Sequence, residues 1–280
     1  MMILRKPSPL EEAARLSYPP REWDLYAEAL TYQEHSKFGR EKSREDFVHI
    51  GQLRQNKGLI SSMTRHFKVY PEVIYSPLPQ IVDLLGEGVS LEEAILRRRS
   101  VRAFSKKEMP FEVFAKMLVF SYGITGEMSY DTGDVQYLRA SPSAGALYPL
   151  EIYPVVFHVE GLQPGLYHYN VRDNAVGMLK GGDFSDFLVD ICTEQEMVRE
   201  ASVVFLITAY PLRTLRKYRE RGLRFLYLDA GHMAEHIYLL ATAYGFGACA
   251  VGGAYDHEVE RFLGIDGLQE TLVYLMAVGG

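Results

Sequence analysis

Residues 224–244 read RFLYLDAGHMAEHIYLLATAY. Leu226, Ala230, Met233, Ile237, Leu240 and Tyr244 recur at spacings of four and three, the period of one face of an α-helix. Gly245 follows, the residue that most readily takes the left-handed conformation ending a helix. Upstream, Ser202–Thr208 is an apolar, β-branched run of the kind found in a central strand. Gly165–Asn170 and Ala175–Leu179 flank Val171–Asn174 and predict a hairpin. Glu151–Val159 reads as a strand in which Pro154 requires an edge or a bulge. Pro110 at a first helical position opens a helix over Phe111–Tyr122, after a short helix over Leu91–Leu96. Downstream, Asp256 is placed to cap a helix running to Leu263, and Thr271–Val278 is a closing strand. From Ser90 onward the pattern is therefore regular α+β.

Residues 1–89 have another texture. Seven of the 13 prolines fall within the first 90 residues, around a charged run from Lys37 to Asp46. Trp23, Tyr26, Ala27 and Leu30 share a face and predict a helix over Glu22–Tyr32, whereas Pro71–Pro79 (PEVIYSPLP) cannot be helical and predicts an extended arm. The expected organisation is an N-terminal helical and extended segment, 1–89, and a main domain, 90–280.

The 280 residues, 48% hydrophobic and 24% charged, supply ample apolar material for a core. A net charge of -6 argues against a general nucleic-acid binder, so local arginine clusters read as sites for a single anionic ligand. Two cysteines, Cys192 and Cys249, exclude a disulfide framework and point to a reducing, cytoplasmic setting. Met1–Leu10 lacks the apolar core of a signal peptide, and no run approaches the roughly 18 apolar residues of a membrane span.

Five constellations can carry chemistry. Arg97 to Arg102 (RRRSVR) offers arginine forks and a hydroxyl to a phosphate, or is simply a solvated basic helix end. Arg139 to Pro149 (RASPSAGALYP) combines small residues that let backbone approach a flat ligand with the hydroxyls of Ser141 and Ser143. A surface loop would not need its apolar Ala-Leu-Tyr. Gly245 to Gly253 (GFGACAVGG) lacks the dinucleotide-binding spacing and follows a helix rather than a strand. It reads as a helix cap running into a tight turn, with the amides of Gly252 and Gly253 left over as an anion nest. Lys217-Tyr218, beside Arg216, Arg219, Arg221 and Arg224, can act as a proton donor and acceptor pair if burial or neighbouring cations lower their pKa values; otherwise it is an exposed and a half-buried side chain. His232-Met-Ala-Glu-His236 matches an inverted zinc-peptidase pattern, with Glu258 or Glu260 as a third ligand, or is two helix histidines making structural hydrogen bonds.

Together these segments resemble the SagB-type dehydrogenases, the branch of the nitroreductase superfamily that includes the azoline oxidases of thiazole- and oxazole-modified peptides. RRRSVRAF (97–104) is similar to the superfamily's FMN signature, SPSAGALYPLEIY (141–153) to the branch's most distinctive motif, and KYRERGLRFLYLDAGHMAEH (217–236) followed by GFGACAVGG completes the order. YQEHSKFGR (32–40) and FKVYPEVIYSPLP (67–79) resemble the segment preceding such domains.

The resemblance implies an α+β, nitroreductase-like fold with a mixed central sheet and flanking helices, and an intertwined homodimer with FMN at the subunit interface. Arg98, Arg99, Ser100 and Arg102 would bind phosphate and ribityl groups. Ser141, Pro142, Ser143, Ala144 and Gly145 would line the ring from the partner subunit, with Gly252 and Gly253 beside ring or phosphate. Lys217 and Tyr218 match a pair assigned to proton removal during aromatisation. The sequence ends at Gly279-Gly280, where the superfamily commonly continues to a further basic phosphate ligand, so either the arginine cluster suffices for the phosphate or the affinity for FMN is modest. His236 stands where the branch usually has a neutral amide. The implied reaction is hydride transfer between flavin and a small-molecule or peptide substrate, either a dehydrogenation such as azoline-to-azole oxidation or a reduction at the expense of NAD(P)H. Rival readings are a zinc hydrolase using His232 and His236, and a non-catalytic flavin-binding protein. No metal, nucleic acid or membrane partner is expected.

Overall fold

The computed structural model describes residues 27–37, 40–86, 89–131, 133–193 and 195–280. Trp23 and Tyr26 of the first expected helix, and Met1–Leu10, lie outside them. The chain divides into a unit of residues 1–47 and a unit of residues 48–280. In chain order the helices and strands are α1 (Ala27–His35), α2 (Arg40–Gln55), α3 (Lys57–Thr64), β1 (Tyr75–Pro77), α4 (Ile81–Leu84), α5 (Leu91–Arg97), α6 (Phe111–Tyr122), β2 (Ile124–Ser129), β3 (Val135–Arg139) and β4 (Leu150–Val156). They continue with β5 (Gly165–Asn170), β6 (Ala175–Gly181), α7 (Ser185–Ile191), β7 (Val203–Ala209), α8 (Pro211–Tyr218), α9 (Gly222–Ala243), β8 (Gly247–Val251), α10 (Asp256–Leu263) and β9 (Thr271–Gly279).

Seven strands form one sheet in the order β1-β6-β5-β4-β7-β9-β8, and β2 and β3 pair separately as a hairpin. The pairings between these strands are antiparallel; the parallel element is confined to two isolated bridges, Ser100 with Ala248 and Met109 with Val159. The α+β fold with flanking helices is thus the one expected, but the sheet, expected to be mixed, is antiparallel throughout its named strands. Its core lies on both faces of the sheet. Val203, Phe205 and Ile207 of β7 face the side covered by α6 and α9, while Val204 and Leu206 face α7 and α10. Burial on both sides explains why β7 is apolar without alternation. Each leucine- or valine-sized side chain taken from water contributes about 1.5–3 kcal/mol.

Local chemistry explains most boundaries. Ser90 caps α5 by accepting from the Glu93 amide, and Gly245, at φ 73°, follows α9 as predicted. The arm 71–79 joins the sheet as edge strand β1, where Pro77 leaves no ladder bond unmade. Three expectations need correction. Pro154 sits in an interior strand. The β4–β5 ladder is confined to Val155 and Val156, so the proline falls where it stops. Asp256 is the first residue of α10 rather than its cap; Tyr255 holds that position without a side-chain bond, and the carboxylate lies in the first turn, where a helix dipole favours negative charge. GFGACAVGG is not a tight turn but contains the edge strand β8. No helix among the described residues is long and apolar enough to cross a membrane.

Candidate active site

Helix α9 organises the site. Asp229 and His236 stand seven residues apart, two turns along one face. Asp229, buried on α9, accepts from Ser143 Oγ at 2.5 Å and from the Ala144 amide. Ser143 Oγ in turn accepts from the Tyr148 amide at 2.9 Å, so one hydroxyl closes the serine-rich loop and fastens it to the helix. Burial pushes the Asp229 carboxyl up to about 6, against the lowering effect of these donors. Ser141 Oγ donates to the Ser121 carbonyl at 2.7 Å and lies 3.1 Å from His236 Nδ1. Pro142 and Gly145 are exposed, Ser143 and Ala144 half-buried. Gly145, Ala146 and Tyr148 hold φ values of 64°, 53° and 45°. Such conformations are strained for Ala and Tyr and persist only where surrounding structure enforces them. The Tyr148 hydroxyl accepting from the Arg139 amide at 3.0 Å is part of that enforcement.

Lys217 and Tyr218 close α8 and converge on this loop. A Cβ on Gly145 would lie 2.6 Å from both Lys217 Nζ and the Tyr218 hydroxyl. Lys217 Nζ stands 5.3 Å from the Tyr218 ring centre, and Tyr218 meets Phe225 edge-on. The helix is anchored from its other end. Arg213 donates to the Tyr148 carbonyl at 3.1 Å and pairs with Glu151 at 2.8 Å. Burial alone would raise the Glu151 carboxyl; the Arg213 cation and His168 outweigh it and hold it at about 2. A fixed ion pair thus sets the register of the Lys-Tyr pair against the serine-rich loop.

The arginine segment is held elsewhere. Ser100 bridges to Ala248 of β8, and Val101 packs so closely on Gly247 that a Cβ there would sit 2.6 Å from its side chain. Tyr238 of α9 ties the two together: its hydroxyl lies 3.1 Å from Ser100 Oγ and accepts from the Ala250 amide at 2.7 Å, while the Arg98 guanidinium stands 5.3 Å from its ring centre. Arg99 donates to the carbonyls of Leu96 and Arg98, and Arg102 lies exposed, 3.5 Å from the Ser100 carbonyl. Gly252 has open space where a Cβ would go, and the Gly253 carbonyl lies 3.5 Å from Thr193 Oγ1. This donor set, guanidinium forks with a serine hydroxyl at the end of α5, fits a phosphate.

The structure therefore gathers the expected residues into two groups. Tyr238 is two residues beyond His236, about 200° round the helix. The arginine group and the serine and Lys-Tyr group consequently occupy opposite sides of α9 within one chain. Sequence reasoning missed Asp229, Tyr238, Arg213 and Glu151. Asp229 was the most legible, being a carboxylate set between Leu226 and Ala230 of the buried stripe. His232 is exposed and His236 half-buried. Among the described residues no group of three His, Cys, Asp or Glu side chains is gathered as metal ligands.

Above Gly145 and Lys217 opens a cavity of about 370 Å³, floored also by Leu147. Its walls are Ile50 and Leu53 of α2, Ile60 and Met63 of α3, and residues of the β2–β3 hairpin.

The nitroreductase family profile matches residues 95–280. A protein of Methanocaldococcus jannaschii carrying a nitroreductase designation is 34% identical over 193 residues, 69% of this chain and 92% of the relative. The trifolitoxin-processing protein TfxB of Rhizobium leguminosarum bv. trifolii is 24% identical over 283 residues, 94% of this chain and 71% of the relative. A nitroreductase-designated structure from Anabaena variabilis has a TM-score of 0.62 at 24% identity and covers 76% of this chain, which spans only 43% of that one. A chain of the E. coli microcin synthetase McbBCD complex with truncated pro-MccB17 bound has a TM-score of 0.55 at 21% identity, with 77% and 79% covered. Both likenesses concern the fold.

Proposed function

The chain belongs to the nitroreductase family, and from that premise we propose that it is an FMN-dependent oxidoreductase working as a homodimer. The observation that carries the reading is the convergence of Lys217 and Tyr218 on Gly145 of the serine-rich loop. FMN, when bound, supplies the hydride chemistry. Everything else falls to the chain. Arg98, Arg99, Ser100 and Arg102 hold the phosphate and ribityl groups, with the amides of Gly252 and Gly253 nearby. Ser141, Pro142, Ser143, Ala144 and Gly145 of a second copy line the ring. The opposite placement of the two groups on α9 supports the second copy: one chain cannot turn both toward the same ligand. Exposed apolar residues, Tyr227 and Leu228 of α9 and Leu91, Ile95 and Leu96 of α5, supply surface for it.

Lys217 and Tyr218 then hold and move the proton that a substrate loses together with its hydride. This pair, and the likeness to TfxB over nearly the whole chain, favour the SagB-type branch and a dehydrogenation such as azoline oxidation. A general NAD(P)H-dependent reductase is the second reading, favoured by the 34% identity to the nitroreductase-designated archaeal protein. The test is the visible spectrum of the purified protein, with the released cofactor identified by mass. A flavin spectrum and the mass of FMN are expected; a colourless protein that takes up no FMN on reconstitution overturns the reading.

A further inference from the structure

Resting on the flavin reading above, we propose that the cavity over Gly145 and Lys217 is a substrate-specificity pocket for an apolar group, built by a segment outside the family domain. Its substrate class is a small molecule, or a residue of a peptide, carrying an uncharged aliphatic or aryl group beside a hydrogen-bond acceptor.

The wall comes first from sequence. Ile50 and Leu53, and again Ile60 and Met63, stand three residues apart, so each pair shares a helix face. Asn56 turns the chain between α2 and α3, its side chain accepting from the Leu59 amide, and both helices then direct their pairs into one cavity. All four residues precede residue 95, where the family match begins. The floor, by contrast, is Gly145, Leu147 and Lys217 of the family domain. Two parts of the chain with separate local determinants thus meet at Lys217.

The chemistry of the occupant follows from the lining. About 370 Å³ is the size of small-ligand pockets rather than of packing voids. Among the described residues that line it, Lys217 is the one charged side chain. A charged group pushed against Ile50, Leu53, Ile60 or Met63 would lose water without a partner, whereas an alkyl or aryl group gains by burial. An acceptor on the same molecule is met at the Lys217 end. Held this way, the carbon between the apolar group and the acceptor lies at the Lys-Tyr pair, where a proton is to be removed.

The test uses the purified protein and the 4-alkylbenzoates from methyl to butyl, with binding followed by calorimetry. Each added methylene should tighten binding about fourfold. Ile60→Trp and Met63→Trp, made separately, should each weaken the butyl compound at least tenfold while flavin content stays at the wild-type level. Met63→Ala should move the preference to longer chains. Affinity independent of chain length, or wild-type butyl binding in both tryptophan variants, overturns the pocket. A yellow protein without the chain-length ladder keeps the flavin reading and loses this one; a colourless protein that shows the ladder does the reverse.

Discussion

Gly145 holds a φ of 64° directly against Lys217, and a methyl group in place of its hydrogen would come within 2.6 Å of the lysine Nζ. The Lys-Tyr pair and the serine-rich loop are therefore one unit, and a change in either is felt by the other. Gly145→Ala should displace Lys217 and Tyr218 by roughly the overlap while costing about 1–2 kcal/mol of backbone strain. A misplacement of about 1 Å can cost about 100-fold in rate. We expect kcat per bound flavin to fall by that order. Wild-type kcat in Gly145→Ala would show that the pair does not depend on the loop.

The pair itself separates the two substrate classes. Lys217→Ala and Tyr218→Phe should lower turnover about 100-fold or more on a substrate that must lose a proton, the usual reach of general acid–base catalysis. Both should be nearly silent with an electron-poor acceptor that takes its protons from water. Steady-state rates on an azoline peptide and on a nitroarene, measured side by side, decide between dehydrogenase and general reductase.

Arg98→Ala combined with Arg102→Ala should weaken FMN binding by several kcal/mol, since charge-assisted hydrogen bonds are worth about 1.5–3 kcal/mol each. The double variant should purify largely without flavin. Full loading at micromolar protein would move the phosphate away from this segment.

Gly231 lies mid-helix on the exposed side of α9, with open space at its Cβ position, between Tyr227 and Leu228 on one side and Glu235 on the other. A glycine there costs a lone helix about 1 kcal/mol relative to alanine, and nothing among the described residues crowds its Cβ position. In the proposed homodimer, close approach of a second copy would require the glycine. Gly231→Trp should sediment as a monomer and lose flavin with its partner, because the two cofactor-binding groups then belong to different molecules. A flavin-loaded dimer in this variant would remove the argument.

Asp229 gives stability a pH signature. Its folded pKa, raised by burial to about 6, lies above the unfolded value near 3.9. Between these values the native state keeps a proton that the unfolded chain has released, so this group's contribution to stability is lost as pH rises through about 6. Asp229→Asn removes the slope. Urea midpoints at pH 4.5 to 7.5 should show the variant gaining on wild type up to about pH 6.5 and running parallel above it. A difference independent of pH would mean that the carboxyl titrates normally.

The sequence by itself determined the local elements. The four-and-three periodicity of 224–244, Pro110 before Phe111–Tyr122, the hairpin around Val171–Asn174 and the unbroken apolar run of β7 are each signals carried within a few turns or one strand length, where backbone geometry and neighbouring side chains decide the outcome. Motif order was legible for the same reason. What only the tertiary structure decided is where these segments meet. Asp229 becomes the anchor of Ser143 because burial strips it of water and leaves a hydroxyl and an amide as its partners. Tyr238 reaches Ser100 because α9 turns it away from His236. Ile60 and Met63 reach the cavity that Lys217 floors because the chain turns at the Asn56 cap between α2 and α3. None of these contacts joins residues close in sequence, so no local period records them; they arise from shared burial among segments that packing alone brings together.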